Sequence, residues 1–344
     1  MAIHEHVTHA RKLRSERRWF GRSELYPGGA VALVLAATMV WVAAQPSPES
    51  PPIRVGMIGL DTSHVVAFTQ LLNDPKNRNY VPGARVVAAF KGGSPDVESS
   101  RSRVEGYTAA LRDKWGIEIV DSIPALCEKV DAVMIESVDG RPHLEQARPV
   151  FAAKKRLFLD KPMAGSLADV KEIFRLSRES GVPCFCSSSY RFMQDLRRPE
   201  MGKVIGCDAY SDCSLEPHHP DLFWYGIHGV EALFTVMGPG CVEVSRMNTP
   251  GADVVVGRWQ DGRIGVFRGF RKGSTPSVAH VYCEKGSYDV KYGDYKGLVE
   301  AIVEFFKTGK PPVSPEETLE IYAFMDAADK SKEQGGNAVP LDLK

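Results

Sequence analysis

From residue 53 onward, short β-branched apolar runs alternate with longer amphipathic ones, and this alternation constrains the fold more than any other feature of the sequence. IRVGMIGL (53–60) is followed by VVAFTQLLND (65–74), ARVVAAF (84–90) by a polar stretch, and AVMIES (132–137) by PHLEQARPVFAA (142–153). RLFLD (156–160) is followed by SLADVKEIFRLSRESG (166–181) and then VPCFCSSS (182–189). Strands this apolar are buried on both faces, and parallel strands need crossover helices to join them. The pattern predicts an α/β fold whose N-terminal part, 53–188, is a Rossmann-like, doubly wound parallel sheet. The polar stretch KGGSPDVESSRSRVEGYT (91–108) reads as a long loop before a helix at AALRDKWG (109–116). Loops of that length inside a compact domain tend to carry function.

After about residue 190 the pattern changes. GCDAYSDCSLE (206–216), CVEVSRMNT (241–249), DVVVGRWQDGRIGVFRGF (253–270) and SVAHVYCEKGSYDVKY (277–292) are strand-like and broken by turn signals such as QDGR and EKGS. They predict an α+β domain over 189–344 with a large, mostly antiparallel open sheet. Two helices are expected at the end, over 295–309 and over 314–336, the second opened by a Ser314/Glu317 capping box. The chain's 344 residues leave room for two such cores.

The N-terminal segment stands apart. Residues 30–44 are an apolar run of 15 interrupted only by Thr38, preceded by a basic region and followed by the proline-rich 45–52. This is the layout of a secretory signal, with cleavage expected after Ala44 and a periplasmic mature protein. The run is shorter than the ~20 residues of a spanning helix, so a membrane anchor over 30–44 is the alternative. Arg17-Arg18-Trp19-Phe20 also resembles a twin-arginine export signal, which carries proteins already folded.

Without residues 1–44 the chain keeps 37 of its 43 basic and 40 of its 43 acidic residues, a net charge of −3. Such a body, with no basic stripe interleaved with aromatics, is not expected to bind nucleic acid. The seven cysteines are odd in number and scattered, which defines neither a disulfide framework nor a metal site. No spacing in the chain amounts to a metal motif, and no metal is assigned.

Three segments carry a family resemblance. Asp160-Lys161-Pro162 follows His143-Leu144-Glu145 and Ala152-Ala153-Lys154 and precedes GSLADVKEIFRLSRESGVP. Met201-Gly202-Lys203-Val204-Ile205-Gly206 forms a short turn, and Gly226-Ile227-His228 precedes Glu231 and Met237-Gly238. In order and spacing these segments resemble the Gfo/Idh/MocA oxidoreductases, which include glucose-fructose oxidoreductase and inositol dehydrogenase, from Ile53 to about Gly336. The resemblance implies NAD or NADP, a sugar, inositol or related polyol as substrate, and a homo-oligomer, dimer or tetramer, formed through the second sheet. It implies two catalytic residues: Lys161, polarising the reacting oxygen, and His228, the general base. Histidine titrates near neutral pH and suits the second role. Without the resemblance, a surface lysine and a helix-capping histidine would explain the same residues.

The chain departs from the family at three places. Where a dinucleotide fingerprint reads GxGxxG, this sequence has Gly59-Leu60-Asp61-Thr62-Ser63-His64, and only the first glycine survives. Asp61 puts a carboxylate where a helix N-terminus ordinarily attracts phosphate, or caps that helix, with Thr62 as the alternative cap. After the second strand, Lys91 stands where an acid would hold the adenosine ribose, either favouring a 2′-phosphate or lying solvated in a loop. Trp224 replaces an aspartate expected four residues before His228. Cofactor contacts are therefore expected from residues 59–64, Lys91, Glu136, Ser137, Asp160 and Lys161. Glu136, with Asp139 and Arg141, ends a strand where open α/β sheets bind ligands. Substrate contacts are expected from Tyr190, Arg191, His218, His219, Asp221, Trp224 and Tyr225.

The sequence thus supports an NAD(P)-dependent oxidoreductase of sugars or polyols, its cofactor tightly held if exported folded. One alternative is a sugar lyase or hydrolase on the same scaffold, with a retained nicotinamide or a metal through Asp61/His64 and His218/His219/Asp221. The other is a carbohydrate-binding protein that has lost catalysis.

Overall fold

The computed structural model describes residues 51–273 and 277–343, so the expected export signal lies outside the described residues. The first part alternates as β1 (Ile53–Ile58), α1 (Ser63–Asn73), β2 (Ala84–Phe90), α2 (Glu98–Arg101), α3 (Val104–Trp115), β3 (Glu118–Val120), α4 (Ile123–Lys129), β4 (Ala132–Ile135), α5 (His143–Ala152), β5 (Arg156–Leu159), α6 (Leu167–Ser180) and β6 (Cys184–Cys186). The six strands form one sheet in the order β3-β2-β1-β4-β5-β6, every pair parallel. Every residue of β4 is buried, as a strand covered on both faces requires.

The second part runs β7 (Val204–Asp212), α7 (Ile227–Met237), β8 (Cys241–Thr249), β9 (Ala252–Trp259), β10 (Ile264–Phe270), β11 (Ser277–Cys283), β12 (Gly286–Lys291), α8 (Lys296–Thr308), α9 (Pro315–Glu333) and β13 (Val339–Pro340). Its sheet has the order β12-β11-β7-β10-β9-β8-β13, antiparallel throughout except for the parallel β7–β10 pair. The expected Ser314 cap is made, its hydroxyl accepting the Glu317 N–H at 3.1 Å.

Two expectations need correction. Half of the stretch 91–108 is helical: α2 lies within it, and α3 begins at Val104 rather than Ala109 because Val104, Thr108 and Leu111 are buried at helical spacing. β3 and α4 were not anticipated: a three-residue edge strand is too short to show a period.

Helix α8 belongs in space to the first sheet. Its Leu298, Ile302 and Phe305 pack with Val55, Met57 and Phe185, so the end of the chain covers one face of the sheet its beginning builds. The edge-on contact of Phe185 with Phe305, centroids 4.9 Å apart, marks the junction. No helix among the described residues is long and apolar enough to cross a membrane.

Candidate active site

β1, β4 and β5 are neighbours, and their carboxyl ends deliver the residues that build the site. Gly59 follows β1 with φ at +85°, and a Cβ there would lie 2.1 Å from Ser137 Oγ. Left-handed backbone and close approach both require glycine, which accounts for the one fingerprint glycine that remains. Thr62, not Asp61, caps α1, accepting the His64 N–H at 3.4 Å.

Asp61 does something else. Fully buried, its Oδ1 accepts the Val138 N–H at 2.9 Å and its Oδ2 accepts the Ser100 hydroxyl at 2.6 Å. The Ser100 Oγ in turn accepts the Ser94 N–H at 2.7 Å. One carboxylate thus ties the turn after β1 to the loop after β4 and to α2. Burial pushes its pKa up against the pull of those two donors. Alongside, Val97, Val138 and Trp224 form a small apolar cluster with Tyr225 packed on it.

A dinucleotide pyrophosphate needs free N–H groups at this turn and no competing anion. Here Asp61 takes the Val138 N–H and Thr62 takes the His64 N–H. Lys91 pairs at the surface with Glu105. The turn thus keeps one fingerprint glycine and carries, in place of the second, a buried carboxylate that braces it.

Further along the same sheet edge lies a buried polar cluster. His64, in the first turn of α1, stacks on Phe68 with centroids 5.0 Å apart and meets the edge of Tyr295 at 4.9 Å. Its Nδ1 lies 2.6 Å from Asp160 Oδ2. Glu136 follows β4 with its N–H on Ile58 O at 2.7 Å, and Asp160 follows β5 with its N–H on Ile135 O at 2.8 Å. Burial, then the neighbouring Asp160 charge, raises the Glu136 pKa well above the usual carboxylate range, with Lys161 opposing. Burial also pushes Asp160 up, but His64 and Lys161 outweigh it and hold the group below its ordinary value.

Lys161 is buried, with Nζ 4.5 Å from the centroid of the Tyr225 ring. His228, in the first turn of α7, sits 5.0 Å from the Tyr190 ring and 5.6 Å from the Tyr225 ring. Its Nδ1 is 2.7 Å from Ser188 Oγ. Burial, then the charges of Lys161 and His64, drives its pKa well below the ordinary imidazole value. Tyr225 therefore links the two expected catalytic residues, touching the Lys161 ammonium and the His228 ring. A π-helical turn over Leu222–Gly226 brings Tyr225 to that position; such turns are frequent at functional sites.

The other expected residues divide. Tyr190, Trp224 and Tyr225 join the aromatic wall, but Arg191 turns away, its Nε 2.7 Å from Glu231 and its Nη1 2.7 Å from Glu317. His219 is clamped, with Nε2 3.0 Å from Asp139 and Nδ1 2.9 Å from Glu216. Burial raises Asp139, but His219 and Arg141 overcome it and hold that carboxylate far below its usual range. His218 lies at the surface on Glu216, 2.8 Å away. Asp221 pairs with Arg246 at 2.8 Å and Lys332 at 2.6 Å, so the EPHHPD segment does not converge on one point. Leu60 is core, Ser63 is exposed, and Ser137 Oγ bonds Gln146 at 3.0 Å. The sequence reading missed Ser100, Val97 and Ser188; the first two lay in the stretch read as loop, and an isolated serine carries no signal.

Residues 53–188 match the model described as oxidoreductase family, NAD-binding Rossmann fold. No curated protein matches the sequence. Among solved structures, a probable dehydrogenase from Thermotoga maritima is 22% identical, with a TM-score of 0.66 over 84% of this chain and 99% of its own. Myo-inositol dehydrogenase from Lactobacillus casei, solved with NAD(H) and myo-inositol, is 16% identical, with a TM-score of 0.67 over 86% of this chain and 98% of its own. Scyllo-inositol dehydrogenase from the same organism, solved with NAD(H) and scyllo-inositol, is 14% identical, with a TM-score of 0.65 over 85% and 99%. These likenesses extend the shared fold across both sheets, and the Rossmann part of the chain, residues 53–188, matches the model of the Gfo/Idh/MocA oxidoreductases.

Proposed function

We propose that the protein is an enzyme that transforms a sugar, inositol or related polyol at a secondary alcohol or the corresponding ketone. The observation that carries this reading is the convergence of Lys161 and a neutral His228 on the Tyr225 ring. In the tautomer that donates Nδ1–H to Ser188 Oγ, 2.7 Å away, His228 keeps a lone pair on Nε2 for a substrate proton. The Lys161 ammonium stabilises the oxyanion that forms when that proton leaves. The rings of Tyr190 and Tyr225 supply flat apolar surface of the kind that covers C–H faces of a sugar.

In the family the hydride goes to NAD(P). The Asp61 turn departs from the family's glycine fingerprint. This observation favours a second reading, a lyase or hydrolase on the oxidoreductase scaffold, in which the same two residues move a proton beside a carbonyl. To separate the two, the purified full chain is denatured and the supernatant analysed for NAD(P) by mass spectrometry, and the native protein is titrated with NADH by fluorescence. About one nicotinamide per chain, or NADH binding competed by inositol, supports the dehydrogenase. No release and no binding, together with turnover of 3-keto sugars or polyols that is lost in His228→Asn, supports the second reading. The reading as a whole fails if no member of a sugar and polyol panel is turned over or shifts the melting temperature.

The chain is further proposed to be exported, on the strength of residues 11–44, and to self-associate through its second sheet. Support for the latter comes from Ile205, Met247, Val256, Ile264 and Tyr282, large apolar side chains exposed on that sheet.

A further inference from the structure

The geometry points to a binding site for one divalent transition-metal ion, of the manganese or zinc class, formed by His64, Glu136 and Asp160. One ligand atom of each residue lies within 4.8 Å of the others, and all three side chains are buried. They come from three adjacent strand ends, and backbone bonds to neighbouring strands hold Glu136 and Asp160 in place.

The independent sign of a missing partner is Glu136. It is 0% exposed, yet neither carboxylate oxygen has a hydrogen-bond partner, and Asp160 Oδ1 has none either. Buried polar atoms in native proteins are nearly always satisfied, and a buried carboxylate with no partner is among the costliest groups a fold can carry. Lys161 does not serve as that partner: its ammonium lies over the Tyr225 ring, and both Glu136 oxygens stay unpaired. A cation between the three residues would give the Glu136 carboxylate the partner it lacks. Its charge would balance the two carboxylates while leaving Lys161 for the substrate.

The ligand set selects the class of ion. One imidazole with two carboxylates suits manganese, iron or zinc, whereas magnesium prefers oxygen ligands and retained water. The His64 ring is fixed by Phe68 and Tyr295, the pre-orientation a metal ligand needs. Three protein ligands leave coordination positions open, as in catalytic sites, and Lys161 is the next residue after Asp160. Vicinal hydroxyls of a polyol are suitable ligands for those positions. The metal site itself rests on the orphaned oxygens and not on the substrate reading.

The test uses the purified full chain, stripped with chelator, dialysed, and titrated separately with MnCl2 and ZnCl2 in an isothermal calorimeter, with metal content checked by mass spectrometry. The expected result is one ion per chain and a metal-dependent rise in melting temperature. Glu136→Gln, which keeps the side-chain shape and removes the buried charge, is expected to fold and to weaken binding at least ~100-fold. His218→Ala, a surface residue outside the cluster, is expected to bind as the unaltered chain does. If neither ion binds at up to millimolar concentration, or Glu136→Gln binds as tightly as the unaltered chain, the site is refuted. Because no substrate is present, failure here leaves the polyol reading standing, and failure on the polyol panel leaves the metal result standing.

Discussion

Asp61 accepts the backbone N–H of Val138 at 2.9 Å, joining the turn after the first strand to the loop after the fourth. In a dinucleotide-binding sheet those segments flank the ligand; here a side chain bridges them. The substitution of a fingerprint glycine by aspartate therefore adds a brace between the two segments.

The brace can be removed. Asp61→Gly leaves the Val138 N–H and the Ser100 hydroxyl without their acceptor, and each buried unsatisfied group costs about 1–3 kcal/mol. The expected loss is ~2–6 kcal/mol in urea unfolding. If the carboxylate is also what excludes the dinucleotide, NADH fluorescence titration should show at least tenfold tighter binding to this variant than to the unaltered chain. Equal binding in both would mean that the aromatic and valine cluster, not Asp61, governs the groove.

Lys161 and His228 should be separable from the fold. Lys161→Met and His228→Asn are each expected to reduce kcat by ~10²–10⁴, the range for a lost oxyanion partner or general base. Far-UV circular dichroism should remain unchanged. A variant that retains more than a tenth of the activity would remove that residue from the chemistry.

His228 also makes a prediction about pH. Its folded-state pKa is depressed by burial and by Lys161 and His64, so the unfolded chain binds the proton more readily. Stability is therefore present above pH 6.5 and is lost as pH falls from there toward the folded value, with a slope of up to ~1.4 kcal/mol per pH unit from this group. Urea midpoints measured from pH 4.5 to 7.5 should fall more steeply for the unaltered chain than for His228→Asn. Parallel curves would mean that His228 is not held neutral by its surroundings.

Much of this architecture is legible in the sequence because its signals are periodic. The alternation over 53–189 and the turn signals after 190 specify two sheets, and Ser314 with Glu317 marks the start of α9. Lys161 and His228 were legible only through family spacing, and they do meet, through Tyr225. What the sequence hides is pairing between distant single residues. Nothing in Asp61, Ser100 or Val138 taken alone says that they meet, and Glu136 reads as an ordinary strand-end acid until its burial without a partner is seen. The EPHHPD segment misleads for the same reason: proximity in sequence suggests one site, while the side chains serve two networks.

Those two networks respond differently to substitution. Arg246 is 0% exposed and is ringed by Asp253, Asp221 and Asp329, with Nε 2.9 Å from Asp253 and Nη2 2.8 Å from Asp221. Removing it as Arg246→Met leaves Asp253 with Arg271 but takes from Asp329 its ion-pair partner, and breaking a buried pair costs ~3–5 kcal/mol. Lys332→Ala removes only the solvent-facing partner of Asp221 and should cost about 0–1 kcal/mol. His219→Ala instead breaks the clamp between Asp139 and Glu216 and frees the loop that carries Val138. Its effect should therefore appear in NADH or substrate binding as well as in urea unfolding, whereas that of Arg246→Met should appear in unfolding alone. Loss of ligand binding in Arg246→Met at full native signal would overturn this division and return Asp221 to the active site.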